Sequence, residues 1–92
     1  MTKGDKLKQF LTDNRISFKY GERNSASTVV AGFALHIGFD EGEKEDILDI
    51  IERNCVCDPD WDDEFERIFK FAARNNYGEW WKSKTAKNTY TF

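Results

Sequence analysis

Four groups of residues carry side chains capable of chemistry: the pair Cys55 and Cys57, the acidic run Asp58, Asp60, Asp62 and Asp63 around Pro59, the single His36, and Trp80-Trp81 beside Lys82, Lys84 and Lys87. Two cysteines one residue apart strain a disulfide and lack the two-residue gap of a zinc knuckle. A zinc site would need two further ligands, and His36 is the one histidine. The aspartates stand where a helix start favours acids against its dipole, and they lack the loop spacing of a calcium site. His36 has no Ser or Cys at a recognisable motif spacing. No catalytic constellation, cofactor or metal is expected, and binding is the expected mode of action.

Binding chemistry is better represented. Arg23 offers a planar donor fork suited to a phosphate and equally to an ion pair with a nearby carboxylate. Asn24, next to it, is expected to cap the helix that follows. Trp80 and Trp81 would project about 100° apart on a helix, so one is expected in the core and the other available. A Trp in that lysine-rich setting is a stacking plate for a single strand or an anchor in a protein interface.

The elements that must position these groups follow a helical period. Leu7, Phe10 and Leu11 mark one face of a first helix over 5–14. Residues 15–22, with Ile16, Phe18 and Tyr20 in alternation, form a packed connection. Val29, Val30, Phe33, Ala34 and Ile37 define a second helix that starts at Asn24 or Ser25 and stops at Gly38. Gly32 inside it weakens helix propensity by about 1 kcal/mol relative to Ala, which suggests close approach of a neighbouring helix. A third helix starts among residues 40–45 and carries Ile47, Leu48, Ile50 and Ile51 to Asn54, with an acidic polar face. Pro59 breaks the chain, Asp60 is placed to cap, and Trp61, Phe65, Ile68, Phe69 and Ala72 mark a fourth helix ending near Asn75. A last short helix is expected after Ser83.

Phe33 and Phe69 are the expected core of the second and fourth helices. With 39% apolar residues and eight Phe, one modest core is within reach of 92 residues, whereas a separate catalytic domain is not. No long hydrophobic stretch follows residues 1–6, and no apolar run approaches membrane-spanning length, so a cytoplasmic protein without a membrane partner is expected.

The net charge of −3 conceals a division. Residues 1–38 hold six Lys/Arg against three Asp/Glu, residues 39–66 two against thirteen, and residues 67–92 six against one. Basic ends at +3 and +5 thus flank an acidic middle at −11. A polyanion could approach the ends if they share a face, while the middle is either a solvated face or a surface for a basic partner.

Three patterns in order carry a family resemblance. Tyr20-Gly21-Glu22-Arg23-Asn24 presents Gly-x-Arg-Asn ahead of an apolar helix whose middle is Ala31-Gly32-Phe33-Ala34; Gly38 precedes an acidic helix ending at Asn54; and Pro59 precedes a helix bearing Glu64, Ile68, Ala72 and Ala73. Over residues 20–75 the chain resembles the primase C-terminal helical domain of phage and plasmid replication proteins. The resemblance implies a helical bundle beside primase or primase-helicase machinery that helps hold template strand or nucleotide and performs no phosphoryl transfer. It also places a functional arginine near Arg23. The chain departs from the family by lacking the primase catalytic core and by its acidic surplus.

The reading is an all-α protein, a compact bundle of four to five short helices in one domain over 1–92 with a family-like core at 20–75. Its expected role is that of an accessory replication domain, not an enzyme, on a mobile genetic element. It would bind single-stranded DNA through Arg23, Arg74, Lys82 and Lys84 with Trp80 or Trp81 on a base, and a DNA polymerase, primase or helicase subunit as protein partner. The alternative is a protein-interaction module, or a phage-type inhibitor whose acidic surface imitates nucleic acid.

Overall fold

The computed structural model describes residues 1–75 and is all-α, with four helices in that span: α1 (Lys3–Asp13), α2 (Arg23–His36), α3 (Lys44–Asn54) and α4 (Trp61–Arg74). A 3-10 turn, Glu41–Glu43, leads into α3. Helix α1 starts at a capping box: the Asp5 amide donates to the Thr2 hydroxyl at 3.1 Å and the Thr2 amide donates to the Asp5 carboxylate at 3.3 Å. Its apolar face, Leu7, Phe10 and Leu11, is buried as the spacing predicts.

Helices α1 and α2 end in the same way. In α1 the Ile16 amide donates to the Leu11 carbonyl and the Arg15 amide to that of Thr12; in α2 the Phe39 amide donates to Ala34 and the Gly38 amide to Leu35. Both are paired closures around one left-handed residue, with a buried side chain following it. Gly38 takes that position with φ of 107° at no steric penalty, as the stop signal predicts, whereas Arg15 takes it with φ of 51°. The turn at Arg15 sends residues 16–20 back across the bundle. Phe18 forms a single parallel bridge with Cys57, its amide donating to Val56 at 2.9 Å and its carbonyl accepting from Asp58 at 3.2 Å. Residues 15–22 are therefore a packed connection, with Ile16 and Phe18 buried; Tyr20 lies outside at 61% exposed.

Helix α2 packs mainly on α4, and α1 mainly on α3. Phe10 of α1 stacks on Phe33 of α2 with centroids 4.0 Å apart and planes 11° from parallel. Phe18 meets Trp61 and Phe65 at centroid distances of 5.1 and 6.2 Å, and Phe65 stacks on Phe69 at 5.8 Å. The first stack joins α1 to α2 and the second group joins the connection after α1 to α4; α3 contributes Ile47 and Ile51, while Leu48 and Ile50 are only partly buried. Gly32 is buried in the middle of α2. Lys3 fastens the start of α1 to the α2–α3 connection: it donates to the Gly38 carbonyl at 3.2 Å, pairs with Glu43 and lies over the Phe39 ring.

Phe33 is fully buried and Phe69 is 1% exposed, as expected. Phe→Ala at either position should lower stability by about 3–5 kcal/mol, a large part of what a domain of this size possesses. Urea melts check this, and a loss below about 1 kcal/mol would place these rings outside the core.

Candidate functional site

The two chain segments that open α2 and α4 meet at a polar junction. Residues 19–23 turn into α2 with the Glu22 and Arg23 amides both donating to the Lys19 carbonyl, at 2.9 and 3.0 Å. That turn starts the helix earlier than the capping signal predicts. Glu22 occupies the cap position without a side-chain bond, so Asn24 is not the cap but a residue of the first turn. Its side chain, released from capping, donates across to Glu64 Oε1 at 3.0 Å.

Arg23 completes the junction. Its Nε lies 3.0 Å from Glu64 Oε2, its Nη1 donates to the Pro59 carbonyl at 2.8 Å, and its guanidinium sits 4.6 Å from the Tyr20 ring centroid. The Tyr20 amide donates to the Asp58 carboxylate. Both Glu64 oxygens are thus occupied, with the Arg23 and Glu64 side chains 26% and 17% exposed. Of the two roles open to Arg23, the structure shows the ion pair with the acidic segment. Asp60 also departs from expectation: it stands at the cap position of α4, but with φ of 67° and no side-chain bond. The Trp61 amide is met instead by the Asp58 carbonyl at 3.3 Å.

Exposed charges are unevenly distributed along the helices. Helix α3 exposes Glu45, Asp46, Asp49 and Glu52, and the first turn of α4 adds Asp62 and Asp63. The last two turns of α4 expose Arg67, Lys70 and Arg74 at spacings of three and four, with Phe71, 57% exposed, among them. Neither Arg67 nor Lys70 makes an ion pair among the described residues. Arg74 pairs with Glu41 at 3.4 Å, and Lys44 with Glu66 at 3.7 Å. Beside these pairs runs an open cleft of about 460 Å³ lined by the carboxylates of Glu41, Asp63 and Glu66, the cations of Lys44, Arg67 and Lys70, and Phe69.

Arg23 and Arg74 do not converge. Glu64, which holds Arg23, precedes Arg74 by ten residues, about 15 Å along α4. Trp80, Trp81, Lys82 and Lys84, with the expected last helix, lie outside the described residues. Sequence reasoning passed over Arg67, Lys70 and Phe71; the available signal was their helical register with Arg74.

Cys55 and Cys57 are half-buried free thiols. Burial raises Cys55 to about 12, with Cys57 adding to the effect. Burial also raises Cys57 to about 11, with the negative charges of Glu52, Asp58 and Asp62 adding to it. Neither is a ready nucleophile. No group of three or more His, Cys, Asp or Glu among the described residues is arranged to hold a metal ion, and no described helix is long and apolar enough to cross a membrane. The chain matches no protein-family model, no curated protein and no solved structure.

Two tests follow from this geometry. Glu64→Ala should destabilise the fold by about 1–3 kcal/mol, because it strips the partner from a half-buried guanidinium and from Asn24. A double-mutant cycle with Arg23→Ala should return a coupling of about 1 kcal/mol; additive losses would mean that the pair does not hold the junction. Second, iodoacetamide at about pH 8 should alkylate the folded thiols at least about tenfold more slowly than the urea-unfolded chain. The same raised thiols make stability fall as pH rises from about 9 towards 12, because the unfolded thiols ionise first. Equal alkylation rates in the two states would reject the buried environment.

Proposed function

We propose that this chain is an accessory, primase-associated domain of DNA replication that binds single-stranded DNA and a polymerase, primase or helicase subunit, and catalyses nothing by itself. The observation that carries this reading is the uneven distribution of charge along the helices: exposed cations and an exposed aromatic in the last turns of α4, and exposed acids on α3. Cations interleaved with an aromatic suit a single strand, which supplies phosphates and bases alternately. The anionic face suits a basic surface on a protein partner.

The family resemblance adds support. Two of its three patterns, the Tyr20–Asn24 stretch and the Pro59-led helix, meet at one junction through Arg23, Asn24, Glu64 and the Pro59 carbonyl. In this reading Arg23 acts by fixing α2 against α4, and phosphate contacts fall to Arg74, Lys82 and Lys84, with Trp80 or Trp81 on a base. The small subunit that accompanies a family-A polymerase on staphylococcal mobile cassettes is a protein of this kind that the chain resembles. The same α3 face also favours the alternative of an acidic module that occupies a nucleic-acid site on its target. Arg53, the cation inside that face, is already paired with Asp49 at 3.2 Å.

Fluorescence anisotropy with a labelled single-stranded oligonucleotide, for the chain alone and with its candidate polymerase, separates the two. The expected result is binding that weakens with salt, the log–log slope flattening by about 0.7 for each phosphate contact removed. Absence of binding in both preparations, with competition against DNA for the polymerase, would replace this reading with the acidic-mimic one.

A further inference from the structure

Cys55 and Cys57 are placed alike by the backbone between α3 and α4. Cys55 ends α3 in an extended conformation, with φ of −130° and ψ of 154°, and its amide is held by the Ile51 carbonyl at 2.9 Å. Cys57 stands in the bridge to Phe18, which keeps the chain extended through Val56. In extended backbone, side chains two residues apart leave the same face. Val56, between them, points away and is 59% exposed, while both thiols pack partly against the core and line one open cleft with Glu52, Asp58, Asp60 and Asp62. The Cys57 thiol donates to the Cys55 carbonyl at 3.6 Å, so it already leans toward its neighbour. At about 3.3 Å of rise per residue the two Cα atoms stand about 6.6 Å apart, the long end of what a disulfide spans. An atom inserted between the sulfurs suits that separation better than a direct bond.

We propose that Cys55 and Cys57 form a two-coordinate site for a soft divalent metal ion of the mercuric type. Binding exchanges protons for metal: one Hg²⁺ and two thiols give a neutral S–Hg–S bridge, and two protons go to solvent. Coordination number selects against zinc, which takes four ligands in a structural site, since no third His, Cys, Asp or Glu among the described residues is arranged to join the pair. Charge selects against a monovalent soft ion such as copper(I) or silver(I). Two thiolates on such an ion carry a net negative charge, and the cleft around them is lined by four carboxylates and no cation. The divalent complex is as neutral as the two thiols it replaces. Softness selects the sulfurs over those carboxylates. The site is independent of DNA binding, and its effect is local: the bridge closes the segment directly before Asp58 and Pro59, which hold Tyr20 and Arg23 at the junction of α2 and α4.

The experiment uses the full chain, reduced and then freed of reductant, with mercuric chloride alone as the probe. Native mass spectrometry should show one ion on each monomeric chain. The loaded chain should also need more urea to unfold, because the folded backbone presents the thiols together and the unfolded chain does not. An unchanged or lowered urea midpoint would overturn the proposal, since any flexible dithiol would then bind as well. So would an ion shared between two chains. Against glutathione as competitor, Cys55→Ser and Cys57→Ser should each lose more than about a hundredfold in affinity, beyond what loss of an outer-shell partner costs. Retention of wild-type affinity by either variant would overturn the pairing. Glu52→Gln combined with Asp62→Asn, both exposed positions, should leave mercuric affinity unchanged, because the complex is neutral. Loss of binding in that variant would make the carboxylates ligands and overturn two-fold coordination. Circular dichroism of each variant confirms that the helices persist.

Discussion

The aromatic face of α4 must leave water, and the rest of the molecule is arranged around that requirement. Trp61, Phe65 and Phe69 lie four residues apart on one side of the helix, and all three are buried. Helix α2 covers most of the face, while Phe18, delivered by the connection after α1, fills the space beside Trp61 and Phe65. The turn at Arg15 and the bridge to Cys57 exist to put Phe18 there. Burying that face also determines what α4 shows to solvent: acids in its first turn, and cations with Phe71 in its last two.

Apolar burial does not fix how α2 lies along α4, because rings tolerate sliding that directed polar contacts do not. The Arg23, Asn24 and Glu64 cluster supplies direction. Three donors converge on one carboxylate and one carbonyl, and a displacement of either helix by a turn would separate them by about 5 Å. The basic composition of the N-terminal segment is partly consumed in this way. Lys3 and Arg23 fasten elements together, whereas Lys6, Lys8, Arg15 and Lys19 stay exposed, as do the cations at the end of α4.

Much of the fold was legible because it follows from periodicity. The buried faces of α1 and α4, the stop at Gly38, the break at Pro59 and the burial of Phe33 and Phe69 all follow from spacing and residue type. What escaped depended on the tertiary setting. Asn24 has a strong capping preference, yet the turn over residues 19–23 and a carboxylate 40 positions away gave its amide another partner. Arg15 gives no sign that it will adopt a left-handed turn, since arginine has no preference for one. Phe39 reads as a residue beyond a helix stop, but the closure at Gly38 folds it inward to 5% exposed. The candidate site was half legible: Arg74 was singled out by charge, whereas Arg67, Lys70 and Phe71 form a surface only once α4's buried side is known.

The junction has a further property that lies in its separations along the chain. The bonds from Tyr20 to Asp58, Arg23 to Pro59 and Asn24 to Glu64 link residues 38, 36 and 40 positions apart. All therefore close nearly the same loop, the one that contains α2 and α3. Closing it for the first time forfeits about 3 kcal/mol of chain entropy in the length-dependent part alone. The contacts that come after meet ends already together and forfeit almost none of it. The three bonds at this junction therefore share a single loop-closure cost, which each would have to meet in full if it stood alone.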